Sequence, residues 1–86
     1  MTKRSFQDFL IRLEANGLLE DMKKRCAKAR VSLLELYEGP IKAPSIVAAR
    51  RSVYLWLLKE GKGINEIARL FDRAPNGVVK MTRGGR

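Results

Sequence analysis

Histidine is absent from the 86-residue chain, and cysteine occurs once, at Cys26. Those two shortages remove the usual zinc ligand sets, an intrachain disulfide and the imidazole that most often serves as general acid or base. The few serines and the lone thiol have no partner at nucleophile-and-base positions, so the inventory argues against an enzyme, and no cofactor or metal is expected. Cys26 itself reads as a small core hydrophobe. Long apolar runs are missing too. The longest, residues 53–58, falls far short of the roughly 20 residues that cross a bilayer. The opening Met-Thr-Lys-Arg-Ser-Phe has no apolar stretch of signal-peptide type. The expected location is therefore the cytoplasm, with no membrane partner. Aromatics are limited to one Trp, two Tyr and three Phe, a poor supply of stacking platforms for single-stranded nucleic acid.

Acidic residues are the other shortage: nine Asp+Glu face eighteen Lys+Arg, for a net charge of +9 and a pI near 10.3. A domain this basic carries the electrostatic footprint of a nucleic-acid binder, although acidic proteins attract the same charge. The excess is uneven. Residues 1–44 hold nine basic and six acidic side chains, and residues 45–86 hold nine and three. The C-terminal half is the better candidate for phosphate contact.

The patterning is helical throughout and shows no strand signal. Ser5 with Asp8 has capping-box spacing, and Phe6, Phe9, Leu10 and Leu13 follow at helical intervals. That predicts a helix over 6–15, stopped by Asn16-Gly17. A second helix is expected over 18–29, with Leu18, Met22, Cys26 and Ala29 inward and Lys23, Lys24, Arg25, Lys28 and Arg30 around the rest. Its basic cluster is a solvated face or a secondary phosphate contact. Ser32 with Glu35 forms another capping box, opening a short helix over 33–37. Residues 38–44, with two prolines and a glycine, read as a loop. Ser45 is the expected cap of a fourth helix over 46–60. Its apolar segment 53–58 points to a central position, with Trp56 as anchor. Helix five is expected over 64–71, then a turn at Asp72-Arg73-Ala74. Helix six runs over 75–83 with Pro75 first, where no backbone donor is needed. The glycine at 77 weakens that helix's head and allows a later start near Val78. Gly84-Gly85-Arg86 reads as a frayed tail. The expected fold is a small all-α domain of five to six helices, compact overall. It comprises an N-terminal helical hairpin (1–30) and a C-terminal helix-turn-helix region (31–86).

Residues 65–83 carry the functional signal. A helix-turn-helix needs a small residue in its first helix, so that the second can cross closely, and Ala68 supplies it. Ile67, Phe71, Val78 and Met81 supply the apolar interior. The outer face of the last helix would then enter the major groove of duplex DNA. Asn76, Lys80 and Arg83 lie on that face. Asn suits adenine, whereas Lys and Arg suit guanine or phosphate. Arg69 and Arg73 flank the turn, where phosphates would pass.

Residues 31–81 resemble the C-terminal DNA-binding domain of the bacterial replication initiator DnaA, in the Trp-repressor-like group. The matching pieces are Val31-Ser32-Leu33-Leu34-Glu35-Leu36, then Ala49-Arg50-Arg51-Ser52-Val53-Tyr54-Leu55, then Asn65-Glu66-Ile67-Ala68-Arg69-Leu70-Phe71, and Val79. The resemblance implies that Arg50 contacts the DNA backbone and that Arg51 is its polar neighbour. It places Asn76 where the family has the histidine that starts the recognition helix, and Lys42 in the basic loop that reaches the minor groove. The family's base-reading R-D-H-S/T-T/S segment is replaced by Ala74-Pro75-Asn76-Gly77-Val78. The phosphate-cradling G-x-x-x-x-G-K-[ST] of its nucleotide-binding module does not occur. Double-stranded DNA is thus the expected partner, in transcription regulation or replication, but not through the initiator's own target sequence. Helix-turn-helix proteins of this size often bind paired half-sites as homodimers; Phe6, Phe9 and Leu13 are the only spare apolar surface for one, unless, as their pattern first suggests, they simply cover the core. The alternative is a protein-interaction or inhibitory module built on a degraded helix-turn-helix, since Gly77 and Val78 stand where polar contacts are expected.

Overall fold

The computed structural model describes residues 4–39 and 43–83. Six helices, α1 (Arg4–Ala15), α2 (Leu19–Ala29), α3 (Leu33–Glu38), α4 (Pro44–Lys59), α5 (Ile64–Phe71) and α6 (Pro75–Arg83), account for most of them, and no strand occurs among the described residues. The all-α class is as the patterning predicts. No helix among the described residues is long and apolar enough to cross a membrane.

The chain packs as two compact units, Met1–Ala49 and Arg50–Arg86, and the division falls inside α4. The expected boundary after residue 30 is displaced because α3 packs against both α1 and α2. Tyr37 of α3 is the reason. Its ring stacks on Phe9 at 4.6 Å and meets Phe6 at 6.0 Å. Around that stack Phe9, Leu13, Met22 and Leu36 are fully buried, with Leu18, Cys26 and Val31 nearly so. Phe9 and Leu13 are core residues, and half-buried Phe6 packs on the Phe9 and Tyr37 rings, so the core-cover reading holds and Phe9 and Leu13 are not part of a spare dimer face. Among the described residues of this unit, the large apolar side chains left outside are Ile11, 61% exposed, and Leu34, 45% exposed. Ala29, expected inward, is exposed. Gly39 follows α3 because a Cβ there would collide with the Glu35 carbonyl and sit 2.9 Å from Ile46 Cγ2.

The second unit holds the rest of α4 with α5 and α6. Val53, Tyr54 and Leu57 of α4 are buried, as are Ile67, Ala68, Leu70 and Phe71 of α5 and Val78 of α6. Tyr54 meets Phe71 edge-to-face at 5.1 Å. Trp56 is only half-buried and Leu55 is 38% exposed, so Tyr54, not Trp56, anchors this stretch. The apolar run left that choice open, because a helix apolar on every side does not declare its inner face.

Helix ends follow local chemistry. Ser32 and Glu35 make the reciprocal capping box, with bonds of 2.9 and 3.0 Å. α1 already includes Ser5, which is therefore inside the helix and not its cap. α4 begins at Pro44 instead of after Ser45. Proline is well placed in a first turn, and the Val47 amide donates to the Ala43 carbonyl one turn back at 2.9 Å. Four helices end in one way. A left-handed residue closes each, and the next amide reaches back five residues: Leu18 to Leu13, Val31 to Cys26, Lys62 to Leu57 and Arg73 to Ala68, at 2.8–3.0 Å. Glycine is the usual residue for that conformation. Gly17 and Gly61 fill it at two ends, whereas Arg30 (φ 61°) and Asp72 (φ 55°) fill it at the others.

Candidate nucleic-acid interface

α5 opens at Gly63, whose amide donates to Glu66 Oε1 at 2.9 Å, and it ends on Asp72 in the left-handed conformation. Arg73 and Ala74 complete the turn, and Pro75 starts α6, which therefore includes Gly77 and does not wait for Val78. α5 and α6 pack directly on each other. Ala68, 3% exposed, is the small residue of the pair, and Val78, fully buried, is the plug that seats α6.

Seating Val78 fixes which side of α6 faces outward. At about 100° per residue, Asn76, Lys80 and Arg83 fall within a ~60° arc centred roughly opposite Val78. All three are exposed, while Val79, Met81 and Thr82 at the sides are half-buried. The Thr82 hydroxyl donates to the Val78 and Val79 carbonyls at 2.9 and 3.3 Å, so it serves the helix's own backbone. α6 contains no acidic residue. Arg69 is exposed on α5 and Arg73 is half-buried in the turn. With Asn65, Ala68, Asp72 and Pro75 they line an open depression of about 360 Å³. Asn65 was not singled out from the sequence; its signal was its position one turn before Arg69, on the same side of α5.

The two arginines carried over from the initiator resemblance have other surroundings. Arg50 is 2% exposed, the buried charged residue of the described structure. Burial lowers its pKa, and the nearby Arg73 charge lowers it further. Tyr54 shares that environment: burial raises its pKa, against the opposing pull of Arg50 and Arg73. A guanidinium so enclosed is not available to a phosphate, so the expected backbone contact of Arg50 is not one this fold offers. Arg51 is exposed, but its Nε donates to the Met81 carbonyl at 3.1 Å. It thus ties α4 to the last turn of α6. Lys42 lies outside the described residues, as do Gly84-Gly85-Arg86.

The structure therefore brings Arg69, Arg73, Asn76, Lys80 and Arg83 to the α5–turn–α6 hairpin and withdraws Arg50 from the surface. No family model, no curated protein and no solved structure matches the chain.

Proposed function

We propose that the second unit is a helix-turn-helix that binds double-stranded DNA, with α6 as its recognition helix. The supporting observation is the outer face of α6, where Asn76, Lys80 and Arg83 are exposed together on a helix with no acidic residue, held by the buried Val78. Such a face offers an amide for adenine and cations for guanine or phosphate. Arg69 and Arg73 stand at the turn, where the strand would pass. The resemblance to the DnaA DNA-binding domain adds a role in replication or transcription on the nucleoid to this reading. The protein-module alternative loses one motive, because Val78 is an internal plug and not a vacated base contact.

Four cationic contacts, from Arg69, Arg73, Lys80 and Arg83, correspond to a log–log salt slope of about −3.6, or roughly a hundredfold loss of affinity between 50 and 200 mM salt. A duplex titration at two salt concentrations, with the protein as it stands and with Lys80→Glu/Arg83→Glu, tests this. Salt-steep binding that the double reversal weakens at least tenfold is the expected result. Salt-insensitive binding, or affinity indifferent to the reversal, rejects the reading and leaves the protein-interaction module standing.

A further inference from the structure

Gly77 has no internal reason to be glycine. It is exposed, it is not among the positive-φ residues, and a Cβ built on it meets nothing within 4 Å among the described residues. Its amide already donates to the Ala74 carbonyl at 3.0 Å, so it does not offer a free donor to an anion. Even in the first turn of a helix glycine gives up more backbone freedom than alanine, and no contact among the described residues offsets that. Open space at an exposed glycine is where another surface can come within contact of the backbone.

Resting on the duplex-binding reading above, we infer that Gly77 is the point at which the α6 backbone closes against the sugar–phosphate wall of the major groove. The geometry selects the wall over the base edges. Asn76, Lys80 and Arg83 define the direction that would point to the groove floor, and Gly77 sits roughly 90° around the helix from their centre. The dimensions explain why a side chain would matter there. A helix with its side chains is about 10–12 Å across, and the major groove is about 12 Å wide. A flank without a side chain lets α6 sit deeper, bringing Lys80, one turn further on, towards the same strand.

The test is Gly77→Ala and Gly77→Gln, read by thermal unfolding and by affinity for two short duplexes of unrelated sequence, beside Lys80→Glu/Arg83→Glu. Alanine raises the unfolding midpoint by roughly 3–6 °C, as expected for relieving a helical glycine in a chain this small. It nonetheless weakens binding about threefold to tenfold, and glutamine weakens it about thirtyfold or more, by the same factor on both duplexes. Gly77→Gln binding like the parent while the charge reversal loses affinity overturns the inference and leaves the duplex reading intact. A loss confined to one duplex also overturns it, because it places Gly77 at a base edge. If the charge reversal itself changes nothing, the duplex reading fails and this inference falls with it.

Discussion

The two units solve different problems with similar helices. Met1–Ala49 is organised around three rings, Phe6, Phe9 and Tyr37, and its surface mixes charges of both signs, as in the 3.8 Å pair between Lys23 and Glu20. Arg50–Arg86 sets Tyr54 edge-to-face on Phe71 and includes the buried Arg50. Only Glu60, Glu66 and Asp72 stand against its nine basic residues. The first unit is arranged for its own stability. The second tolerates cationic self-repulsion, which is unfavourable to a small fold unless a polyanion relieves it. Function is therefore to be sought where basic residues most outnumber acidic ones.

The strongest way to break this comparison is to attack each interior. Phe9→Ala removes a fully buried ring together with its stack on Tyr37, and is expected to cost about 3–5 kcal/mol, towards the upper end of what such truncations give. Arg50→Glu puts an acid into a nearly closed site shaped around a cation, and is expected to cost about 3–5 kcal/mol. Urea unfolding reads both. If Arg50→Glu leaves the urea midpoint unchanged while duplex affinity falls, Arg50 is a phosphate contact, as the initiator resemblance implies.

Next in size is the contrast between the two cationic faces. Reversing Lys80 and Arg83 should weaken duplex binding about tenfold to a hundredfold and flatten the salt slope by about two. Reversing Lys24 and Lys28, exposed on α2, removes the same formal charge and should change affinity less than threefold, because only long-range screened attraction is lost. Equal losses from the two pairs would mean that the whole charge, and not the α5–α6 hairpin, governs binding.

What the sequence made legible was local. Ser32 with Glu35 fixes a cap within four residues, Asn16-Gly17 ends α1, and Pro75 starts α6; each works through neighbouring backbone groups. The helix-turn-helix was readable because Ala68 and Val78 sit ten residues apart in one short motif. The burial of Arg50 was not, since it depends on how α4 is turned, and the apolar run 53–58 gives that helix no preferred inner side. The Arg51 bond to Met81 joins residues thirty apart, and no periodicity encodes such a pairing. The same applies to Tyr37, whose stack on Phe9 moved α3 out of the C-terminal region. Of the proposed interface, the residues on α5, the turn and α6 could be named from the sequence; the roles of Arg50 and Arg51 could not.

The Arg51 bond gives a smaller effect that sharpens the division of labour within the basic unit. Arg51→Ala should lower stability by about 0.5–1 kcal/mol, the usual worth of an exposed side-chain cap. It should speed amide exchange in the last turn of α6 more than anywhere in α5. Duplex affinity should fall only modestly, and the salt slope should hold, because this guanidinium is engaged with Met81 and not with phosphate. A slope reduced by about one unit would instead make Arg51 a phosphate contact.

The smallest effects concern the helix ends, where the two units share one device and differ only in who fills it. Gly17 and Arg30 both occupy left-handed backbone in the first unit, at φ 70° and φ 61°. A side chain in that conformation costs about 1 kcal/mol relative to glycine. Gly17→Ala should therefore destabilise by about that amount, even though a Cβ there meets nothing within 4 Å, so the penalty is purely one of backbone. Arg30→Gly should do the reverse and stabilise by up to about 1 kcal/mol, since Arg30 is exposed and buries nothing. Thermal unfolding of the two variants should move the midpoint in opposite directions. That opposition distinguishes strain at Arg30 from a hidden contribution of its charge: if Arg30→Gly is neutral while Gly17→Ala destabilises, the arginine is offsetting its strained backbone through favourable interaction with the open carbonyls at the end of α2. The cationic surface of the first unit would then be partly structural, as the bond from Arg51 to the Met81 carbonyl is in the second.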